Sequence, residues 1–224
     1  IIAQDELGAQ TKYMYSPLGL LQYVYVKDGE NWLLSAQRSY DTELRVSEET
    51  VYQDYSVTPP KSITAVYSYA DSNELLSATA KDETEAVVQR VQYNYSKNIY
   101  AGTKKANAVT QTLTGDGSIT PNKIKTYTDV RGLVCMEEVL NPSTDAVLYK
   151  NTYTYDLMGN LLETKDGRAW EEDWDYTQKM EYDYAGRVLK QYDALGNFAQ
   201  NTYNQLGQLI TATDLNGAST NYTY

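Results

Sequence analysis

The chain has 224 residues and a formal charge of −11, from 30 acidic against 19 basic side chains. That excess repels phosphate backbones and anionic headgroups, so nucleic-acid and membrane-surface binding are not expected, and no run of 18 apolar residues is present to insert in a bilayer. With no histidine and a single cysteine, histidine-based triads, histidine metal sites and an internal disulfide framework are excluded.

Of the aromatic residues, 23 are Tyr, three Trp and one Phe. Tyr packs its ring flat while its hydroxyl reaches a polar partner, and it is a good strand residue, so the composition predicts half-buried sheet. The opening stretch "IIAQDELGAQ" lacks the basic start and long apolar run of a signal peptide, and it lacks an initiating Met. We expect the chain to be an excerpt of a longer protein.

The first turn signal is "DELG", ending at Gly8, and "SPLG" follows, ending at Gly19. The same formula recurs as "DVRG" (Gly132), "DLMG" (Gly159), "DYAG" (Gly186), "DALG" (Gly196), "NQLG" (Gly207) and "DLNG" (Gly217), so eight of the 13 glycines obey it. A type I turn wants Asp, Asn or Ser first, where the side-chain oxygen accepts from backbone N–H groups further on, and Gly fourth, where φ turns positive. In hairpins such a turn continues into a bulge that matches strand twist. Asp28-Gly29, Asp116-Gly117 and Asp166-Gly167 read as tight two-residue hairpin loops.

Between Gly29 and Gly102 the formula fades. "WLLSAQRSY", "TVYQDYSV", "SITAVYSYA", "LLSATAK" and "AVVQRVQYNY" still read as strands, and "TPPKS" as a turn. Asn73 stands where Gly would be. "TEAVVQRVQ" also admits a helix. In "GLVCMEEV", Cys135 reads as a small buried thiol.

From 127 onwards the spacing becomes an architecture. Tyr182, Tyr203 and Tyr224 are 21 residues apart, and Asp193 to Asp214 keeps that step. Successive turns 10 or 11 residues apart reverse the chain each time, which predicts consecutive antiparallel hairpins with Val188 to Tyr192 paired against Phe198 to Tyr203. The turn formers are Asp156 with Gly159, Asp183 with Gly186, Asp193 with Gly196, Asn204 with Gly207, and Asp214 with Gly217. The steps from Gly132 to Gly159 and Gly159 to Gly186 are both 27, as if six residues were added at one hairpin end. "RAWEEDWDY" (168 to 176) is the second addition, expected to protrude from an edge.

The motifs "YDLMGNLL", "YDYAGRVL", "YDALGNF" and "YNQLGQLI" resemble the YD repeat of the Rhs family, Tyr-Asp-x-x-Gly-Arg/Asn-Leu at intervals of about twenty residues. The resemblance is strong over 127–224, recognisable over 13–29 and weak over the diverged hairpins 30–126. The family spans bacterial Rhs and wall-associated polymorphic toxins, the B and C components of insecticidal toxin complexes, and teneurins. The resemblance implies an all-β fold of consecutive antiparallel hairpins in a curved, open, spiralling sheet, with residues 1–224 as one repeat domain. It also implies a secreted or cell-surface protein whose repeats form a shell or rigid body, adjoining further repeats of the parent chain and sheltering or presenting a C-terminal toxin. The chain shows neither the family's self-cleaving core nor a toxin domain.

Three functional readings follow. The first is a structural wall segment, with Tyr ladders across strands and exposed edges that favour edge-strand dimers in isolation. The second is a carbohydrate- or protein-binding surface, in which Trp32, Trp170 and Trp174 stack on glycan rings. The third, catalysis by the carboxylates of "WEEDWD", is disfavoured because a dense acidic loop is ordinarily a solvated face; no catalytic residue is assigned. No cofactor or metal is expected: the acids lack EF-hand spacing, and "GDGSITPN" lacks the Lys-Ser/Thr ending of a phosphate loop.

Overall fold

In a computed structural model, which describes residues 1–167 and 177–224, the chain is all-β: 18 strands and no helix among the described residues. No helix is therefore long and apolar enough to cross a membrane among them. The strands fall into two compact units, Ile1–Asn94 with Gln111–Asn122 and Tyr95–Thr110 with Lys123–Tyr224.

In the first unit β1 (Ile2–Gln4), β2 (Gln10–Tyr15), β3 (Leu21–Asp28), β4 (Asn31–Tyr40), β5 (Val46–Asp54), β6 (Lys61–Tyr69), β7 (Leu75–Asp82) and the first half of β8 (Val87–Ala101) each pair antiparallel with the next. The stretch with the helical alternative is thus strand: Thr84 and Glu85 belong to a turn, and β8 starts at Val87. The Pro59-Pro60 segment joins β5 to β6 without entering the ladder.

The second unit holds the outer part of β8 and of β9 (Lys104–Gly115), then β10 (Asn122–Thr128), β11 (Val134–Leu140), β12 (Val147–Tyr155), β13 (Leu161–Lys165), β14 (Thr177–Tyr182), β15 (Val188–Tyr192), β16 (Phe198–Tyr203), β17 (Leu209–Thr213) and β18 (Ser219–Asn221). From β10 to β18 every strand pairs antiparallel with its successor, an open run of neighbours. The expected pairing of β15 with β16 is present, closing on Tyr192 opposite Phe198, whose rings lie 5.5 Å apart.

Each formula turn closes as its residues dictate. At Asp183 the backbone N–H donates to Arg187 O at 3.0 Å, and Gly186 N donates to Asp183 O at 3.0 Å. Asp183 Oδ1 accepts from Ala185 N (2.9 Å) and Arg187 N (3.0 Å), which occupies two donors that would otherwise face water alone. A register shift follows at Glu181/Tyr182, the expected bulge. Asp156, Asp193, Asn204 and Asp214 repeat the same pair of side-chain bonds.

Where the glycine is lost the backbone conformation is kept. Asn73 takes φ 68°, as expected, but Leu44 (66°) and Glu85 (67°) also occupy the left-handed region in turns opened by Asp41 and Asp82. In the Asp41 and Asp82 turns the acid, not the glycine, preserves the turn, whereas the Asn73 turn opens on Ala70.

Two expectations are revised. Gly167 is not at positive φ; a Cβ there would fall 2.2 Å from the Tyr149 ring, so its smallness serves close packing. The added residues after Gly132 go largely into the ladder, because β11 and β12 have 7 and 9 residues where β15 and β16 have 5 and 6. The "RAWEEDWDY" insertion, with Trp170, Trp174 and its acids, lies outside the described residues.

The buried apolar centre sits in the second unit, where Ala106 and Ala108 of β9 pack with Tyr127 and Met136, flanked by Ile99, Ala101 and Cys135. Among the described residues no large side chain is completely buried, which fits a Tyr-rich sheet. Gly186→Val should destabilise the chain by about 1–3 kcal/mol, because a β-branched residue is strained at φ 77° and its Cβ would stand 3.3 Å from Asn160 Oδ1. Leu44→Gly should stabilise by roughly 0.5–1 kcal/mol by relieving the left-handed strain. Chemical denaturation of both variants measures the two signs together.

Candidate functional site

The turns divide between two ends of each sheet. In the second unit Asp129–Leu133, Asp156–Asn160, Asp183–Arg187 and Asn204–Gln208 close one end, and Asp193–Asn197 and Asp214–Ala218 close the other. The sequence formula is the same at both, yet the tyrosine before the acid behaves differently at each.

At the first end the two strands that run between successive turns stop pairing short of the rim. The β15–β16 ladder ends at Lys190 opposite Gln200, leaving Val188 O without a ladder partner on that side. Tyr203 Oη donates to Val188 O at 3.0 Å, joined by Asn201 Nδ2 at 3.3 Å. The same bridge recurs as Tyr155 to Val134 O (2.9 Å), and in the first unit as Tyr40 to Leu21 O (2.6 Å) and Tyr69 to Val46 O (2.9 Å). In every case the acceptor is the first strand residue after one turn and the donor the last residue before the next. The motif tyrosine is therefore a latch between consecutive turns, giving a part-buried carbonyl outside the ladder a protein partner.

Arginine adds a second tie. Arg187 Nε donates to Asp183 Oδ2 at 2.6 Å, and the guanidinium then lies 4.6 Å from the centre of the Tyr203 ring in the next latch. Arg45 does the same from Asp41 to the Tyr69 ring at 4.6 Å, and also donates to Ala70 O and Asn73 Oδ1. Arg131 reaches Asp156 O at 2.6 Å.

The step from the 156 turn to the 183 turn is the exception. Asn160 stands at the arginine position, bonding Asp156 Oδ2 at 2.8 Å, and Tyr182 Oη donates to Met180 Sδ at 3.1 Å, a weak acceptor, instead of to Leu161 O. The β13–β14 ladder stops at Glu163 opposite Lys179. Two hollows of about 460 and 350 Å³ lie there, both lined by Leu162.

At the opposite end Tyr192 donates to the Glu181 carboxylate at 2.7 Å, and the ladder runs up to the turn with no gap to bridge. Trp32, the described member of the proposed aromatic set, is half-buried on β4 with the Lys12 and Lys27 ammonium groups each 5.8 Å from its ring centre. Those cations compete with a sugar ring for the indole face. Cys135 is a half-buried thiol whose Sγ lies 3.5 Å from Tyr127 O, and burial pushes its pKa up, away from nucleophilic thiolate. Among the described residues no group of three or more acids, cysteines or histidines is placed to hold a metal.

The carboxylates of Asp156, Asp183 and Asp193 are held below the usual range. Hydrogen bonds from the side chains of Arg187 to Asp183, Asn160 to Asp156 and Asn197 to Asp193 lead the causes. Burial raises the phenols of Tyr155 and Tyr182, so both are neutral donors in ordinary buffers. The sequence marked the turn acids and glycines but not the latch. Its visible signal is a tyrosine as the last residue before a turn, as at Tyr40, Tyr69, Tyr155 and Tyr203; the acceptor, a backbone carbonyl, has no residue identity to read.

No family model matches the chain, and no curated protein matches it. Among solved structures, a porin-like protein from Bacteroides uniformis aligns over 99% of this chain and 90% of its own, at 10% identity and a TM-score of 0.32. TcdB2-TccC3 without its hypervariable C-terminal region aligns over 99% of this chain at 12% identity and 0.31, and the Photorhabdus luminescens Tc holotoxin pore over 93% at 9% and 0.22. This chain spans 15% and 17% of those two toxin chains. Scores this low establish neither a shared activity nor a shared partner.

Tyr203→Phe should cost about 1 kcal/mol by removing the shorter of the two hydrogen bonds to Val188 O, whereas Tyr182→Phe should cost close to nothing, since no carbonyl depends on it. Thermal melts of the pair distinguish a latch from general aromatic packing. On acidification, the carboxylates with depressed folded values stabilise the fold fully above their unfolded pKa of about 3.9 and lose that contribution as the pH falls through the lower folded values. Melting temperature should hold from pH 7 to about 5 and drop below about 4, with a shallower drop in Asp183→Asn.

Proposed function

We propose that the chain is a structural YD-repeat module of the Rhs type, a wall segment of an exported shell or extracellular scaffold that shelters or presents a C-terminal effector, with no catalytic role of its own. The observation that carries this reading is the repeated latch. The 41–45 turn supplies both the tyrosine that reaches back, Tyr40 to Leu21 O, and the carbonyl that receives the next tyrosine, Val46 O from Tyr69, so one unit can template another. The half-buried tyrosines, with no large side chain fully buried among the described residues, suit a sheet that acts as a wall.

The carbohydrate-binding alternative gains no specific support from Trp32, whose ring is taken by two lysines. The test is protease protection in the exported protein that contains the array. Polypeptide following the repeats should resist proteinase K in the wild type and become sensitive when Tyr155 and Tyr203 are both changed to Phe. Equal sensitivity of the two proteins would overturn the sheltering role.

A further inference from the structure

The turn from Asp214 to Ala218 carries a reactive group that its neighbours lack. At its third position, filled by Leu195 and Leu206 in the two preceding turns, stands Asn216, and Asn216-Gly217 is the one Asn-Gly pair in the chain. The side-chain amide carbon of an asparagine and the backbone nitrogen of the next residue can close a five-membered ring, most readily when that residue has no Cβ to obstruct the approach. At Gly217 nothing lies within 4 Å of where a Cβ would stand.

Other asparagines of the turns are protected twice. Asn160 donates its amide to Asp156 Oδ2 at 2.8 Å and is followed by Leu161; Asn197 donates to Asp193 Oδ2 at 3.0 Å and is followed by Phe198. Asn204 donates to Gln208 Oε1 at 2.7 Å and is followed by Gln205. Asn216 is exposed, and only its backbone N–H is engaged among the described residues, donating to Asp214 Oδ1 at 2.8 Å.

We propose that Asn216 is a site of self-modification, where the chain deamidates through a cyclic imide and rebuilds its own turn. Gly217 N gives its proton to solvent base and attacks Asn216 Cγ. The new C–N bond forms as the bond from Cγ to the amide nitrogen breaks, and that nitrogen takes up a proton and leaves as ammonia. Water then opens the ring. Addition at Cγ breaks the bond just made and leaves aspartate; addition at the backbone carbonyl of residue 216 breaks the original peptide bond and leaves isoaspartate, with the main chain rerouted through the side chain.

The fold sets both the rate and the consequence. In the closed turn Gly217 N donates to Asp214 O at 3.0 Å and Asp214 N to Ala218 O at 2.9 Å, so the nucleophile is released only when the turn opens. Isoaspartate inserts a methylene into the backbone between the residue 216 N–H and the Ala218 N–H, which share Asp214 Oδ1 at 2.8 and 2.9 Å. The lengthened loop no longer fits both donors to one acceptor. The pairs beyond it, Thr211/Asn221, Ala212/Thr220 and Thr213/Ser219, lose the turn that aligns them. This chemistry is independent of the scaffold reading, so either fails alone.

The test incubates the chain folded in mildly alkaline buffer and, in parallel, unfolded in urea. Peptide mass spectrometry follows each asparagine, with aspartate and isoaspartate peptides resolved by chromatography. Asn216 should convert before any other asparagine, to both products, faster as pH rises and more slowly folded than in urea. In the isoaspartate fraction the segment Ser219–Asn221 should exchange its amide hydrogens about tenfold faster or more than in the unmodified chain. Asn216→Asp, which adds the charge without rerouting the backbone, should keep the original exchange rate. The proposal is overturned if another asparagine converts first, if Asn216 yields aspartate alone, or if the folded chain stays unmodified while the urea-treated chain converts completely. It is equally overturned if the isoaspartate fraction exchanges no faster than Asn216→Asp.

Discussion

The structure depends on how a hairpin array satisfies its backbone where strands diverge. A turn opened by Asp and closed by a left-handed residue introduces a bulge, and the strands on either side no longer stay in register up to the rim. Carbonyls at the start of the outgoing strand then face a gap with no strand N–H opposite. Water is the default partner, but a phenol placed at the end of the next strand reaches the same carbonyl and brings a ring that covers the gap. This explains the choice of tyrosine over phenylalanine at that position in physical terms.

The constraint also explains why the same tetrapeptide formula has two outcomes. Tyr192 and Tyr203 both precede an Asx-opened turn, but β15 and β16 remain paired to their last residue at the 193 turn and separate at the opposite rim. With no stranded carbonyl near it, Tyr192 turns to a carboxylate on the neighbouring strand. The hydroxyl follows the unsatisfied acceptor, and the acceptor is set by which end of the sheet the strands splay at.

Much of the fold was legible because turn chemistry is local. Five consecutive residues decide whether Asp183 caps its own loop, and the spacing between such loops decides strand length and direction, so the β15–β16 pairing and the hairpin order could be read directly. Leu44 and Glu85 could not be read as left-handed positions, because there the acid and the flanking strands enforce a conformation the residue itself disfavours. Gly167 was misread for the opposite reason: its neighbour, Tyr149, is far away in sequence and no local rule includes it. The latch escaped because half of it is backbone.

The unlatched step shows what the consensus tolerates. Exchanging arginine for asparagine at position 160 keeps the cap on Asp156 intact, since the amide reaches the same Oδ2, but it is too short to continue to the next tyrosine. At this step the Tyr182 hydroxyl goes to Met180 and no carbonyl bridge forms, although the bridge does not itself require an arginine, since Tyr40 reaches Leu21 O with Leu20 at the corresponding position. The hairpins remain in register because their ladders elsewhere carry the pairing, from Glu163/Lys179 to Lys165/Thr177 on one side and from Lys179/Tyr192 onward on the other. A repeat array of this kind therefore gives up a rim contact without giving up its sheet.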